Sequence, residues 1–342
     1  MTLYPSTVTE GTSRYIYVIS PYVLLQGLEL LGSRKSGIHI TSETGGFVTV
    51  RGCAIHDVFL VPQDNAQGIF IEGGKEIVVQ DCHIYDIFNV HSANSMTLCK
   101  TIDSLFEDNH NHDIHADNGI NDKDGGHGNE HRGNVSYDCD QTGIMIMGQA
   151  QHHDVQVHDN LIYGCRDGIG VGLHESGVYG TRVHHNTVLD SLNLQFAQST
   201  TVWNCVFQSG GKLACTVEGK FNVQGVGLKL EKAEDTVFLA RRTVFSASDP
   251  AAFIFGDRAK TNPVGLDTFA RATHSSELLC TKVEFENAEK HDYRIKLTPE
   301  LRKLAGDGDY LGAHESVLKW AAAGCPMRSR DNVAKRISDG KK

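Results

Sequence analysis

The sequence predicts an all-β fold, a parallel solenoid of stacked coils with three short strands in each. One phrase recurs, in which a β-rich run leads through a polar or glycine residue to a Cys or Asn. It reads Val48-Thr-Val-Arg-Gly-Cys53, Ile77-Val-Val-Gln-Asp-Cys82, Ser104-Leu-Phe-Glu-Asp-Asn109, Glu130-His-Arg-Gly-Asn134, Val155-Gln-Val-His-Asp-Asn160 and Arg182-Val-His-His-Asn186. Counted from Leu28 to Asn186 the steps are 25, 29, 27, 25, 26 and 26 residues, the near-constant period of a repeat architecture. A second phrase lies between these runs: Gly37-Ile-His-Ile40, Gly68-Ile-Phe-Ile71, Ser95-Met-Thr-Leu98, Gly119-Ile-Asn-Asp122, Gly143-Ile-Met-Ile146, Gly168-Ile-Gly-Val171 and Ser191-Leu-Asn-Leu194. Apolar residues alternate within both phrases, which argues for strands over helices.

Each element then has a place. The Gly-Ile phrase is one strand of the coil, the run before Cys or Asn is the next, and the alternation after it is the third. Stacking pairs every strand with its copy above and below, which satisfies the backbone and buries like on like. The Cys/Asn column becomes an internal ladder at one corner. After Cys205 the repeat fades; Val226-Gly-Leu-Lys-Leu and Thr236-Val-Phe-Leu-Ala still read as strands, and Gly265-Leu-Asp-Thr-Phe-Ala-Arg-Ala272 as a helix. We expect a parallel β-strand solenoid over residues 1–285, regular from about 15 to 210, and a closing segment over 286–342 that caps the last coil. The stretch from Ser316 to Ala323 and the basic tail behind it are expected to be solvated.

Bulk properties narrow the function. The 342 residues, 40% of them hydrophobic, suffice for a large core, and 35 glycines against 7 prolines favour many tight turns. A net charge of −10 argues against nucleic acid, which needs clustered Lys and Arg. Lacking a run of about 18 apolar residues, the chain is not expected to span a membrane. The first twenty residues hold no basic-then-apolar signal, which leaves the compartment open. Nine cysteines without a CxxC pair read as packed thiols.

These phrases resemble the right-handed parallel β-helix of the pectate-lyase-like superfamily, whose asparagine ladder lies between its second and third strands. On that mapping the Gly-Ile strands are the first of each coil, and their outer face carries the substrate groove. The long early turns, Asp57 to Gln67 and Ile87 to Asn94, would wall one side of it.

The residues from Asp113 to Gly143 concentrate the candidate chemistry. Alternation turns Ile120 and Asp122 inward, Asn121 and Lys123 outward. Equivalents of Lys123 are Thr41, Glu72, Cys99, Met147, Gly172 and Gln195, so it is the one lysine of its column. A lysine desolvated beside positive charge serves as a general base; the competing reading is a solvated surface lysine. The reaction that fits is β-elimination on a uronic acid polymer, in which a base removes the C5 proton and the C4 oxygen leaves, with metal or cationic donors neutralising the substrate carboxylate. Asp113, Asp117, Asp124 and Asp122 are candidate Ca²⁺ ligands, with turn formation as the alternative for each. His115 and His127 flank the lysine strand, and His91 and His174 come from nearby turns; such imidazoles can protonate the leaving oxygen or neutralise the carboxylate. Arg132 is a candidate substrate contact, although its place before the ladder puts it on the exterior of the second strand.

Ala116-Asp-Asn-Gly-Ile-Asn-Asp-Lys123, followed by Gly128-Asn and Arg132-Gly-Asn134, is similar to the Ala-Asp-Gly-Phe-x-x-Lys, Gly-Asn, Gly-Cys order of the family 9 pectate lyases. The resemblance implies a calcium role for Asp117. Gly119-Ile-Asn-Asp-Lys-Asp124 is similar to the Gly-Phe-Asp-Pro-His-Asp of mannuronan C5-epimerases, which sets Asn121 at that family's catalytic Asp and Lys123 at its catalytic His. Both comparisons point to one strand. The expected function is therefore a polysaccharide lyase on an acidic polysaccharide, a class that points to a secreted or periplasmic setting. A C5-epimerase, a glycoside hydrolase or a non-catalytic glycan-binding solenoid are the alternatives. The oligomeric state is left open.

Two patterns remain. His56, Tyr85, His112, Tyr137 and Tyr163 fall in one outward column and His83 and His110 in another, which reads as an exterior stack, with zinc at His110 and His112 as the alternative. Asp122, His131, Asn111 and Ser136 fall at inward positions. An ionised Asp there needs a partner such as His131, unless a one-residue slip turns Asp122 out and Lys123 in.

Overall fold

The computed structural model describes residues 2–3, 14–59, 65–148, 152–172, 177–195, 197–209, 214–218, 238–246, 251–255, 262–306 and 309–326. His174 and the Val226 run lie outside the described residues. The chain winds as a parallel β-helix. Its first sheet has ten strands, from Arg14–Val18 to Phe253–Phe255, and contains the Gly-Ile phrases in the expected register. Ile38 pairs with Ile69, Ile69 with Met96, Met96 with Ile120, Ile120 with Ile144 and Ile144 with Ile169. The second and third strands of each coil, such as Glu130–Arg132 and Val135–Cys139, pair in parallel with their copies in the same way.

The corner between second and third strands explains the recurring Gly/Asp before Cys/Asn. Gly27, Gly52, Asp81, Asp108, Gly133, Asp159, His185 and Asn204 all take φ between +51° and +66°, a region open to glycine and tolerated by short polar side chains. The next residue then points inward. Asn134 Oδ1 accepts from the backbone N and side-chain Nδ2 of Asn109, both at 3.0 Å, and Asn134 donates to Phe106 O at 2.9 Å and Asn160 Oδ1 at 3.0 Å. Asn160 repeats the pattern onto Asn186. Cys53, Cys82 and Cys205 extend the column as buried thiols, and no cysteine is in a disulfide.

At the corner before the first strand a glycine is required by close approach. A Cβ at Gly143 would stand 2.3 Å from Ile162 Cγ2, and one at Gly68 2.3 Å from Ile84 Cγ2. Ser95 replaces that glycine in one coil, where the third strand supplies Asn111 in place of isoleucine. Ser95 Oγ donates to Asn111 Oδ1 at 3.0 Å. Ser95 and Asn111 thus satisfy each other, and the register carries no slip.

Two expectations about the chain's end are corrected. The last coil is plugged by the helix Leu266–Ala272, whose Phe269 is fully buried against Phe253 and Phe238 at ring distances of 5.1 and 5.8 Å. The later segment does not cap the coil. Phe285–Asn287 and Asp292–Ile295 form an antiparallel pair, and with the helices Pro299–Ala305 and Glu315–Ala322 they lie along the outer face of the third sheet. Val317, Leu318 and Ala321, expected to be solvated, are buried with Val135 and Leu161. The physical reason is in the third strands: Val135 and Leu161 continue the outward column that holds His83 and His110 in the two preceding coils, leaving apolar surface to cover.

Candidate functional site

Lys123 ends the strand Ile120–Lys123 and points outward, as the alternation requires. Its ammonium stands 3.9 Å from Asp124 Oδ2, and both side chains are about one-quarter exposed. In register beneath it lies Cys99, whose thiol is pushed up to about 12 by burial and by its bond to Asp124. At the other end of the strand Asp117 is half-buried. It accepts from Ser92 Oγ at 2.6 Å and from Asn118 Nδ2. Burial raises its carboxyl above the ordinary range, against the opposing pull of the Ser92 bond and the charges of Lys123 and Arg166.

Asp122 faces the interior between Leu98 and Ile146 and is fully buried. Its carboxylate accepts from Asn129 Nδ2 at 3.0 and 3.2 Å, meets His131 Nε2 at 2.9 Å and stands 3.5 Å from His152 Nε2. Burial alone would raise its pKa, but the two imidazoles outweigh it and hold the carboxyl below the usual range. Asn121 points outward but is only 3% exposed, and His39, Thr97, Met145 and Asn193 of its row are buried as well, while Phe70 is half-buried and Tyr17 exposed. The face expected to be an open groove is therefore closed around Asn121, and Glu72, Lys123 and Met147 are the less buried members of the neighbouring row.

The remaining candidates separate into places. His91 and His115 are exposed and share the corner that leads to Asp117. His127 occupies the corner after Lys123 and stacks on His153 at 4.7 Å. Asp113 belongs elsewhere: it takes φ +52° in a column with Asp57, Asp86 and Asp138, and its carboxylate bonds His112 Nδ1 at 2.6 Å. Arg132 is on the outer face of the second sheet, bonded to Glu107 at 2.8 Å and Glu130 at 2.7 Å. The four aspartates therefore do not converge on one oxygen cage: one is sealed in the core, one lies on the third sheet, and only Asp117 and Asp124 flank the lysine.

A family described as right-handed β-helix region matches residues 36–207, just over half of the chain. The chain belongs to the right-handed β-helix family. Among solved structures, this β-helix protein is similar to pectate lyase Pel9A, with TM-score 0.51 and 12% identity over 75% of this chain and 65% of that one. It thus spans less than two thirds of the length of that lyase. It also matches Dettilon tailspike protein, with TM-score 0.44 and 13% identity over 73% of this chain and 54% of that one. The periplasmic alginate epimerase AlgG matches with TM-score 0.27 and 11% identity, covering 77% and 79%. No curated protein matches the sequence. These likenesses concern the fold.

Arg166 of the β-helix protein escaped the sequence reading. It lies in the corner before the strand Asp167–Gly172 and meets Asp167 Oδ2 at 3.6 Å; that carboxylate also accepts from Ser191 Oγ at 2.6 Å. The available signal was the column two residues before the recurring glycine, which runs Asp117, Gln141, Arg166.

Proposed function

We propose that this β-helix protein is a polysaccharide lyase that cleaves a uronic-acid-containing chain by β-elimination. The observation that supports it is the outward Lys123, flanked by Asp124 at 3.9 Å and by Asp117 at the other end of its strand, with Arg166 in the Asp117 column. In this reading the Lys123 amine takes the C5 proton, the C–H electrons form the C4–C5 double bond, and the C4–O bond breaks. The leaving oxygen takes its proton from Asp117, whose raised carboxyl suits a donor. Arg166 neutralises the substrate carboxylate as the enolate develops. Since the four aspartates do not gather, calcium has no step here, and turnover is expected to be the same with and without added Ca²⁺.

The test is ultraviolet absorbance of the conjugated product on a panel of pectate, alginate, glucuronan and glycosaminoglycan. Lys123→Ala should lower turnover by about 10²–10⁴-fold while thermal unfolding stays within about 0.5 kcal/mol of the parent. Retained turnover would reject the lysine. The raised Asp117 also suits a glycoside hydrolase, in which case new reducing ends appear without the absorbance. Isomerised uronate without cleavage would mark a C5-epimerase, and binding without product a glycan-binding solenoid.

A further inference from the structure

A second cluster stands on the outer face of the third sheet, apart from the Lys123 row. His83 and His110 pair in register on adjacent strands and stack at 4.4 Å, and His112 lies two residues along the strand from His110. One ring nitrogen from each comes within 4.8 Å of the others. His83 Nε2 and His112 Nε2 face each other at 2.8 Å. His110 is 5% exposed, and neither of its ring nitrogens has a hydrogen-bond partner. Buried imidazole nitrogens are ordinarily satisfied, so the unpartnered ring of His110, converging with the half-buried rings of His83 and His112, calls for a shared partner.

We propose that His83, His110 and His112 form a binding site for a zinc-class divalent cation. Three neutral imidazoles with no direct carboxylate suit zinc, cobalt, nickel or copper and not calcium or magnesium. The orienting group is already in place: Asp113 Oδ2 meets His112 Nδ1 at 2.6 Å, which aims Nε2 at His83, the carboxylate–histidine arrangement typical of zinc ligands. Tetrahedral coordination at about 2.0–2.1 Å places ligand nitrogens roughly 3.3 Å apart, so the facing pair opens by about half an ångström through ring rotation. Three protein ligands leave a fourth position for water. The C-terminal helix lies over the cluster, with the Trp320 ring 6.1 Å from His110.

Full-length protein purified without a histidine tag and freed of metal would be titrated with Co²⁺ and Zn²⁺. The expected result is one equivalent bound, intense visible bands of tetrahedral Co²⁺, displacement of Co²⁺ by Zn²⁺ and a raised melting temperature. His83→Gln and His110→Gln should abolish all of these, and His153→Gln, a histidine of another stack, should leave them unchanged. Should the buried variants fail to fold, Asp113→Asn decides the matter, because Asn tolerates the same backbone and the three imidazoles remain; affinity should fall about 10–100-fold. Binding below one equivalent, a six-coordinate cobalt spectrum, or titrations unaltered in Asp113→Asn would overturn the proposal.

Discussion

An ionised carboxylate held between Leu98 and Ile146 persists only because each of its lone pairs has somewhere to go. Asp122 pays no solvation penalty it does not recover from Asn129, His131 and His152. Asp122→Ala should therefore cost about 3–5 kcal/mol in urea unfolding, the cost of leaving buried groups without their partner. His158 makes a second residue-level case. Burial would lower its pKa, but its bonds to Asp159 and Glu130 raise it to about 8. A folded value above the unfolded one, roughly 6.5, means the contribution is complete below that pH and is lost as pH rises through about 8. Melting temperatures measured across that window should fall in the parent and stay flatter in His158→Gln. At this scale the sequence was informative where chemistry was local: the inward position of Asp122 and its pairing with His131 follow from alternation alone. Its contact with His152 does not, because His152 comes from the next coil and no spacing rule relates the two.

Among the elements, the corner between second and third strands carries most of the order. A left-handed residue turns the chain, and the residue after it bonds the coil on either side. Asn134→Ala removes the acceptor of Asn109 and the donor to Phe106 O, leaving buried backbone groups unmet. With about 1–3 kcal/mol for each such group, the expected loss is about 2–5 kcal/mol, read from chemical denaturation with an unchanged slope. The repeated phrases made this ladder legible, since the same side chain recurs at the same step. The Lys123 face was legible only in part. Alternation gave the direction of Asn121 and Lys123, but the burial of Asn121 depends on the side chains that surround it, which strand periodicity does not encode. Arg166 was missed because it stands in a corner, outside the strand columns that were compared.

For the molecule as a whole, two closing devices divide the work the sequence had assigned to one. A short helix with Phe269 plugs the end of the coil, and the final segment binds the flank through Val317, Leu318 and Ala321. Leu318→Ala, in a site 4% exposed, should cost about 2–4 kcal/mol and increase binding of a hydrophobic dye, while the first sheet keeps its far-ultraviolet signature. The expectation of a solvated helix failed because the apolar face of Glu315–Ala322 could not be matched to a surface: its partners, Val135 and Leu161, sit more than 150 residues upstream and look like ordinary strand residues. The nine cysteines have a practical consequence. Eight are shut inside and Cys280 alone is exposed, so a maleimide fluorophore should label the native molecule once. Each further thiol that becomes reactive would then time the opening of a particular coil.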